Sequence, residues 1–225
     1  VTLEVSSTVQ DYAKAIYSLE QRCEGGAVST NALAERLGVS AASASSMVKR
    51  LDGLGLVEHV PYKGVALTER GSKVALEVLR HHRLLERYLA EELGVPWDRV
   101  HDEAEILEHV LSEELEELIA VKLGHPTIDP HGDPIPTADL EIVEPDTVSM
   151  DGLEAGDAGR FVRVSDSDPE MLRYLGARGI APGSRFEVVD KQPFGGPVFA
   201  RFAVDGDVHP LGGRLAAAMR VEVQA

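Results

Sequence analysis

Apolar residues recur at helical spacing from the start of the chain. Val9, Tyr12, Ala13, Ile16, Tyr17 and Leu19 predict a helix over residues 9–21, closed by Gly25-Gly26. Ser29 or Thr30 caps a short helix running to Leu37, with Leu33, Ala34 and Leu37 on one face. Gly38-Val39-Ser40 reads as a tight turn. Ser40 caps a third helix, Ala41 to about Leu54, which turns Ala44, Met47, Val48 and Leu51 inward. Two short helices about a Gly-containing turn predict a helix-turn-helix. The β-rich runs 55–60 and 65–68 flank Pro61-Tyr62-Lys63-Gly64 and predict a hairpin, placed as a wing. A long helix from Thr68 to Leu93 follows, ended by Gly94-Val95-Pro96. Trp97–Val110 and Ser112–Gly124 are two further helices.

Between His125 and Asp157 the periodicity is lost. Prolines and glycines, as in Asp129-Pro130-His131-Gly132-Asp133-Pro134-Ile135-Pro136, suit turns, and the stretch reads as a linker packed on a domain. Short β runs then appear at Arg160–Val164, Arg185–Val189, Val198–Ala203 and Ala218–Val223. Asp168-Pro169-Glu170 opens a short helix through Leu175. Short strands between glycine-rich turns predict a small β-barrel. The expected fold class is α+β with several domains.

Composition narrows the function. The 225 residues carry 22 basic and 38 acidic side chains, net −16. Residues 1–80 are neutral, with nine of each sign, whereas 81–124 hold four basic and twelve acidic residues. Phosphate contacts supply most non-specific nucleic-acid affinity, so only the neutral first third suits DNA. No apolar run approaches the ~18–20 residues of a membrane span. The first seven residues lack a basic n-region and an apolar h-region, so no secretory signal is expected. The lone cysteine, Cys23, excludes an intramolecular disulfide and a multi-cysteine metal site, reads as a packed small apolar residue, and fits a reduced, cytoplasmic interior.

Three arrangements bear on chemistry. Glu105, Glu108 and His109, at i, i+3 and i+4, share one face of the Trp97–Val110 helix and suit a divalent cation; a solvated acidic face is the alternative. His82 and Glu86 form an i, i+4 pair on the long helix, and His101 precedes Glu105 by four residues. No nucleophile elbow, P-loop, zincin motif or dinucleotide-binding glycine loop is present.

Taken together, these residues resemble the diphtheria-toxin-repressor family of iron- and manganese-dependent transcription regulators. Asp11-Tyr12 with Ala15-Ile16-Tyr17-Ser18-Leu19-Glu20 resembles its first helix, and Leu33 to Ser40 its helix-turn-helix. His82-Arg83-Leu84-Leu85-Glu86 and Val100 through His109 resemble its metal-binding helices, and Asp129 to Pro136 its linker hallmark. The resemblance spans essentially the whole chain. It implies a winged helix-turn-helix in residues 1–75, an all-α dimerisation and metal domain in 76–145, a linker in 146–155 and an SH3-like domain in 156–225.

Carried over by position, it implies a primary metal site of Asp11, Glu105, Glu108 and His109. The implied ancillary site comprises His82, Glu86 and His101, completed by Glu170 with Asp168 or Asp166. Iron-sensing members have Met and Cys where this chain has Asp11 and Glu105. Hard oxygen in place of sulfur suits Mn²⁺, so the manganese-sensing branch is the closer match. Some smaller manganese regulators place a Glu where this chain has Lys14, which argues against a two-metal cluster built with that Glu.

The resemblance implies a cytoplasmic, homodimeric, Mn²⁺-activated repressor of manganese-uptake genes, binding palindromic double-stranded operator DNA. Fe²⁺ is the alternative activator, with Co²⁺ and Zn²⁺ as surrogates. No enzymatic activity, membrane association or small organic ligand is expected. Arg36, Ser40, Ala42, Ser43, Ser46, Lys49, Arg50 and Lys63 are the expected DNA contacts. The small residues of the recognition helix cannot make bidentate base contacts, so shape readout and phosphate contacts carry more of the binding. Two other classes compete: a metal-dependent hydrolase using the carboxylates, and a winged-helix regulator of an organic ligand.

Overall fold

A computed structural model describes residues 5–21, 27–60 and 64–224. Cys23, Gly25-Gly26 and the wing residues Pro61, Tyr62 and Lys63 lie outside the described residues. The chain forms two compact units. The first comprises Val1–His82, Glu108–Leu111 and Pro136–Glu141; the second comprises Arg83–Leu107, Ser112–Ile135 and Ile142–Ala225.

In the first unit, α1 (Ser7–Glu20) buries Val9, Tyr12, Ala13 and Ile16, the stripe its spacing predicts. α2 (Thr30–Arg36) is capped by Ser29, whose hydroxyl accepts from the Ala32 amide at 3.1 Å. Gly38, at φ +63°, supplies the left-handed turn into α3 (Ala41–Gly53). Ser40 caps α3 through the Ser43 amide at 3.1 Å, and Ala44, Val48 and Leu51 face the core. β1 (Val57–Val60) and β2 (Gly64–Leu67) pair antiparallel, Val57 opposite Leu67 and Val60 opposite Gly64. One continuous core joins these elements and reaches Val74 and Ala75 on α4 (Glu69–Leu93). This is the predicted winged helix-turn-helix.

The second unit contains α5 (Val100–Leu107), α6 (Glu113–Lys122) and a six-stranded antiparallel sheet. The predicted Trp97–Val110 helix is shorter at both ends. Residues 97–99 form a turn, with the Arg99 amide on the Pro96 carbonyl at 2.8 Å, and Glu108 to Val110 form another. In the first unit the Glu108 carbonyl accepts from His81 Nδ1 at 3.1 Å, a side-chain partner in place of a helical one. Glu108 and His109 therefore stand past the end of the helix that carries Glu105.

The sheet consists of β3 (Val148–Ser149), β4 (Ala158–Val164), β5 (Arg185–Lys191), β6 (Val198–Phe202), β7 (Val208–Leu211) and β8 (Met219–Val223), in the order β3-β8-β4-β5-β6-β7. The expected barrel is not closed: among the described residues β3 and β7 end the order without pairing to each other. β3 has only two residues to offer, and β4 and β5 each bend at a bulge. α7 (Pro169–Gly176), α8 (Gly213–Ala218) and the 3-10 turn Met150–Gly152 add Leu172, Leu175, Leu215, Ala216 and Met150 to the sheet core. Residues 148–152, within the stretch read as linker, are thus part of this module.

The Asp129–Pro136 stretch packs directly on β4. The Val164 amide donates to the His131 carbonyl at 3.0 Å. Gly132 sits at φ +92°, and a Cβ there would meet the Val162 carbonyl oxygen at 1.9 Å. Gly156 has a similar φ, +97°, in open space. Gly132→Ala is therefore expected to destabilise the protein by about 3 kcal/mol or more, from strain plus overlap, and Gly156→Ala by about 1 kcal/mol from strain alone. Urea unfolding midpoints of the two variants check the difference.

Candidate metal centre and nucleic-acid interface

The first unit gathers Asp11, Glu108 and His109, one donor atom from each lying within 4.8 Å of the others. α1 presents Asp11, and the turn after α5 presents Glu108 and His109. His109 is oriented by Gln10, whose amide oxygen accepts from Nδ1 at 2.7 Å. That leaves Nε2 as a lone pair 2.9 Å from Asp11 Oδ1. Two acceptors face each other at this distance only with a proton or a cation between them. Glu108 is wholly buried, and its Oε2 lies 2.5 Å from His82 Nδ1. Burial opposes its ionisation, but the His82 hydrogen bond and the Lys14 ammonium hold its carboxyl below the usual range. Carboxylate and imidazole donors of this kind suit a hard or borderline divalent ion.

The second unit holds a further cluster. His101 Nδ1 lies 3.0 Å from Asp166 Oδ2 and 3.4 Å from Glu86 Oε1. Its Nε2 lies 3.8 Å from Glu105 Oε1, so Glu105 stands with His101 in this unit. Buried His131 joins from the Asp129–Pro136 stretch: Nε2 donates to the Trp97 carbonyl at 2.7 Å, and Nδ1 points at Glu86 Oε2, 3.8 Å away. That Nδ1 is buried and makes no hydrogen bond among the described residues, which fits a ligand atom awaiting a cation. Glu86, Asp129 and His131 also place donors within 4.8 Å of one another.

Of the acids expected from the β-sheet module, Glu170 with Asp168 or Asp166, it is Asp166 that is described beside His101. Glu170 is exposed on the first turn of α7. Asp168 is spent as the α7 cap, accepting from the Glu170 amide at 3.1 Å and pairing with Arg214 at 3.2 Å. Pro169 at the first helical position and the Asp168 cap fix where α7 begins, and this leaves Asp166 in the turn that meets His101. His82, expected with the second group, lies on α4 one turn before Glu86 and also has its Nδ1 2.5 Å from Glu108 Oε2.

Sequence reasoning missed Gln10, Asp129 and His131 as members of these clusters. Gln10 carries no signal beyond its place beside Asp11. The stretch holding Asp129 and His131 was noted for its turns, not for its donors.

On the winged helix, Arg36, Ser40, Ala42, Ser43, Ser46, Lys49 and Arg50 are all exposed. The Ser40 and Ser43 hydroxyls lie 2.9 Å apart and bond each other.

A winged helix with an exposed recognition helix, in a chain that also carries hard-donor clusters, points to a metal-responsive DNA-binding protein. The comparisons agree. Residues 4–65 match the iron dependent repressor N-terminal DNA binding domain, 68–137 the iron dependent repressor metal binding and dimerisation domain, and 148–223 the FeoA domain. The iron-dependent repressor IdeR of Mycobacterium tuberculosis is 35% identical over 205 residues, covering 86% of this chain and 88% of that protein. A solved manganese-dependent transcriptional repressor in complex with manganese is 44% identical, with TM-score 0.88, over 96% of this chain and 100% of its own. A second solved manganese-dependent transcriptional repressor is 38% identical, with TM-score 0.77 over the same shares. The chain belongs to the diphtheria toxin repressor family of iron- and manganese-dependent repressors. It is a metal-dependent transcriptional repressor, and its relatives are repressors rather than enzymes.

The second cluster makes a pH prediction. The hydrogen bond that His101 donates to Asp166, and then its bond to Glu86, raises His101 from 6.5 to about 10. His131 rises to about 9, burial opposing and Glu86 prevailing. A raised imidazole pKa stabilises the fold fully below about pH 6.5 and loses that contribution as pH climbs through the folded value. A cation competes with these protons for the same carboxylates. Binding at this cluster should therefore tighten from pH 7 to 9 and release about one to two protons. Calorimetry in two buffers of different ionisation enthalpy measures the release.

Proposed function

We propose that this protein is a cytoplasmic, homodimeric, Mn²⁺-activated repressor of manganese-uptake genes, acting on palindromic operator DNA. The observation that carries the metal assignment is the sulfur-free primary cluster, in which Gln10 aims the His109 lone pair at Asp11. Oxygen-rich donors favour Mn²⁺ over softer ions relative to sulfur-containing sites. The manganese-dependent solved repressors support this reading. The iron-dependent name of the mycobacterial relative keeps Fe²⁺ as the second reading, with Co²⁺ and Zn²⁺ as surrogates.

Asp11, Glu108 and His109 would hold the activating ion, whose charge would tie α1 of the DNA-binding domain to the turn after α5. Glu86, His101 and Asp166, with His131 and Asp129 beside them, would hold a second ion. Glu105 stays assigned to the activating ion, and His82 to the second. We assign DNA binding to residues 1–75, dimerisation and metal binding to 76–145, and the β-sheet module to 148–223, which takes in most of the stretch expected as a linker. By linkage, metal promotes DNA binding only as far as it prefers the DNA-competent arrangement.

The recognition helix offers mainly Ser and Ala. Lys49 and Arg50 supply phosphate contacts, Arg36, Ser40, Ala42, Ser43 and Ser46 complete the face, and Lys63 is assigned to the wing. Dimerisation uses an apolar face of the second unit: Ile106 is 70% and Leu118 60% exposed, with Leu115 and Val121 also open.

DNA binding measured against Mn²⁺, Fe²⁺, Co²⁺ and Zn²⁺ tests the activator. Mn²⁺ at physiological levels should suffice, and His109→Ala should raise the Mn²⁺ needed by roughly 10–100-fold. DNA binding that ignores all four metals would sink the reading. Leu118→Glu should convert the dimer to a monomer by light scattering and lose operator binding with it. A variant that stays dimeric would move the interface elsewhere.

A further inference from the structure

Glu108 is claimed by more than the residues of its own cluster. Both of its carboxylate oxygens accept from Lys14 Nζ, at 2.7 and 2.9 Å. Lys14 lies on α1 three residues after Asp11, and its side chain is only 16% exposed, against 0% for Glu108. The carboxylate that completes the cluster with Asp11 and His109 is therefore already held at both oxygens by an ammonium built into the chain. We propose that Lys14 is a specificity-determining residue of this centre: its ammonium is the resident counter-cation of Glu108, holds the centre to one divalent ion, and sets how much of that ion is needed to fill it. The proposal rests on the reading of Asp11, Glu108 and His109 as a metal centre.

The physical case runs on two effects of the same sign. An ammonium and a divalent ion on one carboxylate repel across a few ångströms, and burial makes that repulsion stronger than it would be in water. An ion approaching Glu108 must share it with Lys14 or displace a side chain with little room to reach solvent. Removing the ammonium removes the repulsion. It also leaves the buried carboxylate to the His82 contact, without an ammonium, which increases the demand for another cation. Both changes favour the divalent ion. For the ion-free protein the sign is opposite, because losing the Lys14 ammonium weakens the pairing of a buried charge and destabilises the fold. Replacing Lys14 by a carboxylate goes further: a blocking charge becomes an oxygen donor beside Glu108, and donors for a second ion are then in place.

Mn²⁺ alone, titrated into the full chain and followed by electron paramagnetic resonance and calorimetry, tests this. The binding step that His109→Ala weakens marks the centre. Lys14→Gln should fill that step at roughly tenfold lower Mn²⁺, melt at a lower temperature without the ion, and gain more on adding it. Lys14→Arg, which keeps the charge, should match the parent. Lys14→Glu should bind one additional Mn²⁺ and broaden the six-line signal through coupling of neighbouring ions. Nitrogen NMR of the parent gives a check that needs no variant: the Lys14 ammonium should be protected from exchange and shift when Zn²⁺ is added. Equal or weaker Mn²⁺ binding in Lys14→Gln, an unchanged count in Lys14→Glu, or an unmoved Lys14 resonance would overturn the role of Lys14. A parent chain with no His109-dependent step would overturn the metal reading beneath it.

Discussion

A carboxylate shut away from water has to be answered by charge or hydrogen bonds, and in this protein that carboxylate is Glu108. An unpaired buried charge costs several kcal/mol, so the surrounding chain is arranged around it. Lys14 comes from α1, His82 from α4, and His109 from the turn that Glu108 itself begins. The helix carrying Glu105 stops where it does because Glu108 is turned inward and its carbonyl is taken by His81. These contacts tie α1 and α4 to the turn that Glu108 begins. A change in the charge at Glu108 is felt on the helix that supports the winged-helix core.

The two clusters share a device. In each, one ring nitrogen of a histidine is committed to a fixed protein oxygen, Gln10 for His109 and the Trp97 carbonyl for His131, and the other is aimed at a carboxylate. Committing one nitrogen sets the tautomer and the ring direction, so a ligand atom is held in place in advance. Such supporting oxygens are what a metal centre needs of its histidines.

Much of the fold was readable because helical spacing and caps act locally. Ser40 caps the helix expected of it, Ser29 proves to be the cap of the Ser29 or Thr30 pair, and Ser112 and Asp168 cap the helices expected to open there. The misses arose where tertiary contact overrides local signal. β7 contains Pro210, which argues against a strand in isolation but is tolerated at the sheet edge. α8 begins at Gly212-Gly213, a pair that reads as a turn. Asp11, Glu108 and His109 could be named from pattern and resemblance. Asp166 could be separated from Glu170 and Asp168 only once the capping of α7 was known. Lys14 was noticed as a departure from a pattern, but its grip on Glu108 joins residues 94 apart in sequence, and spacing carries no information over that range.

The chain has one tryptophan, and it stacks on the imidazole of His131 with ring centroids 5.9 Å apart. A protonated imidazole in contact with an indole quenches its fluorescence by accepting an excited electron, whereas a neutral or coordinated ring does so far less. Trp97 is therefore a native optical probe of one cluster, free of interference from any other indole. Its emission should brighten as His131 gives up its proton, so the charge on that ring can be followed in the unlabelled protein.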